Sequence, residues 1–197
     1  MRAALFALAL ACAAAGARAD NSEILKRYSF CEGFADGVRI VRQNRRPADE
    51  PPWREVTAKG ETRKVSVIDG MRIVYGWPGK DPFADVKVEM ADPVKYPEDK
   101  RVLARMMDAV GRAEKAGALT TLQGRGYTGQ EVVKAELAGA TLAITQLFFD
   151  ADKVVVSIYF PNTAPIGEAR NFSNHAQFAA RRAAFVRGYL ECIGRQK

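Results

Sequence analysis

The run Gly124-Arg125-Gly126-Tyr127-Thr128-Gly129 has the spacing G-x-G-x-x-G. That spacing cradles a pyrophosphate when a strand precedes it and a helix follows it. Here a helical stretch precedes it and the strand-like run Glu131–Leu137 follows, so it reads as a glycine-rich loop. His175 is the sole histidine. A serine nucleophile needs a base and an orienting acid in contact with it. Ser173 is near in sequence, but residues two apart do not face each other on a helix, and no G-x-S-x-G occurs. His175 therefore reads as a first-turn helix residue. One histidine and two paired cysteines cannot build a zinc site, so neither metal nor cofactor is expected. Asp81, Asp85, Glu89 and Asp92 cluster in sequence, as do Asp150 and Asp152. Acid–base work needs two carboxylates at a set distance with their pKa values pushed apart. These carboxylates read instead as solvated strand faces and turn residues. No catalytic residue is expected.

Binding chemistry is better represented. Arg39, Arg42 and Arg46 recur at three and four, with Arg45 beside them. On a helix they share one face, where an anionic envelope component or an acidic protein could dock. Trp53 follows in a proline-rich stretch, and tryptophan and arginine are enriched at binding hot spots. A second reading places Tyr75, Trp77, Phe148 and Tyr159 around a pocket, which suits a small-molecule or lipid carrier. A third leaves a hydrolase whose carboxylates converge only in the fold.

The N-terminus bears on where such binding takes place. Residues 1–19 read MRAALFALALACAAAGARA. Arg2 supplies a positive start and Ala3 to Ala15 an apolar run too short to span a bilayer. Ala17 and Ala19 put small residues at the −3 and −1 positions of a cleavage site. The expectation is a signal peptide cleaved after Ala19, a single globular domain over residues 20–197, and a periplasmic or secreted location. Lipidation at Cys12 is the competing reading, but Ala9 stands where a lipoprotein signal wants a branched apolar residue. Cleavage removes Cys12, leaving Cys31 and Cys192, and two cysteines in an exported chain pair by default. It also removes Arg2 and Arg18, which leaves a net charge of +5, two below the +7 of the whole chain. Positive charge biases encounter toward acidic partners. Export, and the lack of basic residues interleaved with stacking aromatics, exclude nucleic acid. No later segment has the roughly 20 apolar residues of a membrane span.

The elements that must carry these residues follow from periodicity. Ile24, Tyr28, Cys31, Phe34, Val38 and Val41 recur at three and four, which predicts a helix over Asp20–Gln43. Pro47, Pro51, Pro52 and Gly60 predict a loop over Asn44–Thr62. Val65 and Val67, Asp69-Gly70, then Met71, Ile73, Tyr75 and Trp77 predict a hairpin turning at Asp-Gly. Ala84–Met90 alternates as a further strand. Pro97–Ala116 opens with acidic residues and ends at Gly117, which predicts a helix. Glu131–Leu137, Thr141–Phe149 and Lys153–Phe160 predict three strands, and Ser173–Ile193 a last helix. The order α-β-β-β-α-β-β-β-α with short connections predicts an α+β domain. Its antiparallel sheet has about six strands, packed by N-terminal, central and C-terminal helices.

This order, with Val-Lys-Val-Glu in the strand at 86–89, a Pro-Glu-initiated helix and Val-Ser-Ile-Tyr-Phe before the terminal helix, resembles the PsbP-like α/β/α sandwich fold. The resemblance spans Arg63 to Ile193 and implies an adaptor or assembly role rather than catalysis. The long first helix and the terminal cysteine pair depart from the pattern. No site residue is carried over. The expectation for the whole chain is an exported, non-catalytic binding protein of the bacterial envelope.

Overall fold

A computed structural model describes residues 21–58, 60–80, 82–113, 119–137, 140–161 and 175–196. The leader, Cys12, Asp81, Gly117, Ala138-Gly139 and Ser173 lie outside these residues, as does the side chain of His175. The fold is α+β, with three helices and nine strands among the described residues.

Helix α1 covers residues 21–29. The strands are β1 (Arg39–Arg45), β2 (Trp53–Ala58), β3 (Glu61–Ser66), β4 (Asp69–Gly76) and β5 (Ala84–Met90). Helix α2 (Tyr96–Ala113) follows, then β6 (Leu119–Gly124), β7 (Tyr127–Leu137), β8 (Ala140–Phe149), β9 (Val154–Phe160) and α3 (His175–Arg195). Seven strands form one antiparallel sheet in the order β1-β4-β5-β9-β8-β7-β6, and β2 and β3 form a separate hairpin.

The alternation of β4, β5 and β9 sorts their residues between two cores. Ile73, Tyr75, Val86, Val88, Val156 and Ile158 face α1 and α3, where they meet Leu25, Tyr28, Phe178, Phe185 and Tyr189. On the opposite face Phe148 and Val155 meet Tyr96, Val102 and Leu103 of α2 and Val65 of the hairpin. Helices on both faces explain why β9 is apolar at nearly every position, since neither face meets water. No described helix is long and apolar enough to cross a membrane.

Three local readings are corrected. The first helix does not reach Gln43. It stops at residue 29, and the chain turns through Ala35, Asp36 and Gly37 at positive φ (47°, 62° and 80°). The β-branched run Val38-Arg39-Ile40-Val41 then pairs with β4. The loop over 44–62 contains strand β2, whose partner β3 is reached across Gly60 at φ 80°. Asp69-Gly70 is not a turn. It opens β4, where a Cβ on Gly70 would lie 2.9 Å from the Val88 carbonyl oxygen, so glycine serves close approach of two strands. The tight turn is Pro78-Gly79, between β4 and β5.

The cysteine pair forms as anticipated. Cys31 and Cys192 are bonded, with 5.8 Å between their Cα atoms and a sequence separation of 161. Cys31 lies just past the end of α1 rather than on a helical stripe. Cys192 is on α3, in the ridge shared by Phe178, Arg182, Phe185 and Tyr189.

Candidate functional site

Strand β1 is an edge of the sheet, and a bulge between Ile40 and Arg42 shifts its register. Arg39 pairs with Gly76, Arg42 with Val74 and Asn44 with Arg72. Residues directly opposite in a ladder share a face. The bulge therefore brings Arg39 and Arg42, three apart, to the same side of a strand, which plain alternation would forbid. The reading of a shared helical face is corrected in cause and in part. Arg39 and Arg42 do share a face, but that of a bulged strand, and Arg46 is not with them. Its guanidinium holds Glu50 at 2.8 Å and donates to the carbonyls of Pro51 and Trp53, bracing the proline-rich loop.

The neighbouring strands extend this basic face. Arg72 of β4 stands opposite Lys87 of β5, on the side of the sheet away from α1 and α3. A cleft of about 380 Å³ opens here, lined among others by Arg45, Arg46, Arg54, Arg72, Lys87 and Glu89. Each of its arginines already holds a carboxylate. Arg45 forks onto Asp69 at 3.1 and 2.5 Å, Arg54 onto Glu89 at 2.5 and 2.6 Å, and Arg72 onto Asp85. Burial opposes the charge of Arg54, but the Glu89 carboxylate outweighs it and holds the guanidinium firmly protonated. Arg39, Arg42 and Lys87 have no carboxylate partner among the described residues. Lys87 instead lies 5.3 Å from the Tyr159 ring centre.

The aromatic rows do not converge. Tyr75 and Trp77 belong to the core under α3, whereas Phe148 and Tyr159 belong to the clusters on the α2 side. Alternation on strands of one sheet puts the two pairs on opposite faces, so they cannot line one pocket. Tyr75 is fully buried and packed among Phe34, Phe185 and Tyr189. Trp77 packs tilted against Phe83 with 4.9 Å between centroids and donates its indole N–H to the Ala35 carbonyl. Burial raises the Tyr75 and Tyr159 phenols above their ordinary value, so neither serves as a phenolate. Trp53 opens β2, 37% exposed, with the Lys64 ammonium 3.7 Å from its ring centre.

The described carboxylates of these sequence clusters have structural partners. Asp92 accepts from the N–H groups of Val94 and Lys95 before α2. Asp150 accepts from Tyr96 and Lys100, and Asp152 from Tyr28 and Arg27. Among the described residues no group of three or more histidine, cysteine or acidic side chains could hold a metal ion. Gly124 ends β6 and Gly126 lies in the turn of the β6–β7 hairpin at φ 84°, so a strand precedes the run where a helical stretch was expected, and a strand rather than a helix follows it. No family model, curated protein or solved structure matches this chain.

Asp150 makes the acid limb of stability testable. Burial opposes its ionisation, but hydrogen bonds from Lys100 and Tyr96 outweigh it and lower its pKa below the ordinary 3.8. A lowered carboxylate pKa contributes stability that is complete above the unfolded value and lost as pH falls through the folded one. The carboxylate is half exposed, so the gain at neutral pH is under about 1 kcal/mol. Urea denaturation of Asp150→Asn will show a small loss at pH 7 that fades as pH falls below the ordinary 3.8. A loss that keeps its size across this range would contradict it.

Sequence reasoning missed Arg54, Arg72, Lys87 and Glu89 as site residues. The alternation of Asp85, Lys87 and Glu89 against Val86, Val88 and Met90 was the available signal, since it marks one polar strand face.

Proposed function

We propose that this chain is an exported, non-catalytic binding protein that docks an acidic partner on the basic face of β1, β4 and β5. The observation that carries the reading is the convergence of Arg39, Arg42, Arg72 and Lys87 on one sheet face beside a cleft walled by Arg54. Arg39 and Arg42 are exposed and free of intramolecular carboxylates among the described residues, so a ligand carboxylate need not displace a native partner. The paired arginines set the floor, while these two and Lys87 supply uncompensated charge. The Cys31–Cys192 bond supports export, because disulfides persist in oxidising compartments. The signal peptide over residues 1–19 and the periplasmic or secreted location belong to this proposal. So does kinship with the PsbP-like fold, whose adaptor members suit a binding role.

A fluorescent decaglutamate peptide is a suitable probe, read by anisotropy at rising salt. Binding by the chain from Asp20 is expected to weaken steeply with salt. The double variant Arg39→Glu, Arg42→Glu is expected to lose about tenfold or more, since like charges across an interface cost several kcal/mol. Arg195→Gln, an exposed change in the last turn of α3 away from this cleft, should bind as the parent does. Equal affinity in the charge-reversed variant rejects the proposed face.

A further inference from the structure

A second concavity lies on the other side of the sheet. Helix α3 covers the middle strands and leaves β6 and the start of β7 bare. The resulting groove of about 920 Å³ is lined by Leu122, Tyr127, Ala183, Val186 and Leu190, with Arg125, Glu131, Arg187 and Glu191 at its margins. Its volume falls in the range of small-molecule sites, and its walls are mostly apolar with a few polar groups, as such sites are.

A buried cation with idle donors adjoins it. Arg182 of α3 is 7% exposed, and its Nε and Nη1 have no hydrogen-bond partner among the described residues. Its Nη2 lies 3.7 Å from Glu131 Oε1, too long for a hydrogen bond. Glu131, which lines the groove, also accepts from Thr145 at 3.2 Å. The rings of Phe160 and Phe178 lie 6.0 and 5.5 Å from the guanidinium. A buried guanidinium with idle donors is costly, and an anion brought to it recovers the hydrogen bonding that the ion pair with Glu131 leaves unmade.

We propose that this groove binds a single-chain amphiphile with a carboxylate head, a long-chain fatty acid in chemical class. The acyl chain lies along Leu122, Tyr127, Val186 and Leu190. The carboxylate sits at the Glu131 end, where Arg182 serves it and Glu131 together and Arg187 adds charge. Small residues at Ala183 and Gly194 keep the helix side of the groove low, and a Cβ at Gly194 would meet nothing within 4 Å. The site is independent of the basic cleft, which faces the opposite side of the sheet.

The test is calorimetric titration of the chain from Asp20 with laurate below its micelle concentration, with decyl maltoside as an uncharged amphiphile. The parent is expected to bind laurate saturably, one to one. Val186→Glu puts a charge on the half-exposed groove wall and should cut affinity for both amphiphiles at least about tenfold. Arg182→Gln should cut laurate affinity about tenfold while leaving decyl maltoside unchanged. If circular dichroism shows that Arg182→Gln does not fold, Arg187→Glu takes its place with the same expected split. Three results would each overturn the proposal: no saturable binding by the parent, laurate binding untouched by Val186→Glu, or equal losses for charged and uncharged amphiphiles in the head-group variant. Sedimentation provides a fourth check. A parent dimer converted to monomer by Val186→Glu makes the groove a self-interface and sinks the lipid reading.

Discussion

Reduction of the Cys31–Cys192 bond lowers the melting temperature by roughly 10–15 °C, a loss of about 4–5 kcal/mol. The bond closes nearly the whole described chain, joining the segment after α1 to the last turns of α3 across a sequence separation of 161. In the chain-entropy description a longer loop removes more freedom from the unfolded state, and few loops in a domain this size are longer. The folded side adds to the effect. Both cysteines are buried, and the same seam holds Tyr189 Oη at 2.5 Å from the Tyr28 carbonyl. Without the cross-link, α1 is tied to the body by Ile24, Leu25 and Tyr28, the Asp152 contacts and the hydrogen bonds to the Tyr28 and Ser29 carbonyls. The double variant Cys31→Ser, Cys192→Ser should match the reduced protein in a thermal melt, and both should still fold, because the central sheet is intact. A shift under about 3 °C would show that the unfolded state is already restricted near this seam.

Phe185→Ala costs about 4 kcal/mol, read as a lower urea midpoint at unchanged slope. Phe185 is fully buried on α3, and its ring stands 5.0 Å from Phe34, 5.2 Å from Tyr75, 5.7 Å from Phe160 and 5.9 Å from Phe83. Most of these contacts are edge-on or tilted, the arrangements that aromatic quadrupoles favour. Truncation leaves a void bounded by residues from the turn after α1, β4, β9 and the segment before β5. Elements fixed in a sheet cannot all move inward to fill it, so the cavity stays open and the cost approaches the upper part of the usual range. Phe185→Leu retains most of the volume and should cost less than half as much. A loss under about 1.5 kcal/mol for the alanine variant would mean that the core collapses around the site.

These two predictions draw on parts of the molecule that are legible at different depths. Cys31 and Cys192 could be paired from their number and compartment alone. The aromatic ridge Phe178, Phe185 and Tyr189 was readable from spacing along α3. Its partners Phe34 and Tyr75 come from distant parts of the chain, and no local pattern announces that they meet.

The same division runs through the secondary structure. Helices α2 and α3 and strands β5, β7, β8 and β9 were readable because each buries a stripe or a face, and burial imposes a period of 3.6 or 2. Strands β1, β2 and β6 were not. They lie at edges or in a separate hairpin, and RIVRQNR, WREVTA and LTTLQG carry little apolar alternation because solvent meets much of each strand. The apolar residues from Ile24 to Val41 fit a helical period by coincidence of two elements. A short helix and a strand, separated by left-handed turn residues, both face the same core.

For the candidate sites, residue type was visible and juxtaposition was not. Arg39 and Arg42 were singled out from their charge and spacing, yet their common face depends on a bulge that only pairing with β4 creates. Arg46 looked like their equal and is spent on Glu50 and two backbone carbonyls. Tyr75 and Tyr159 looked like companions and lie on opposite sides of the sheet. Arg72, Lys87 and Arg182 were not singled out for binding, because a charge acquires meaning from what does or does not neutralise it, and that depends on strand order and register. Local chemistry, namely periodicity, turn residues and cysteine number, suffices for fold class, the main helices and the disulfide. Which charges stay uncompensated and which faces stay bare is set by long-range packing, since both depend on neighbours that the chain brings together from scores of residues apart.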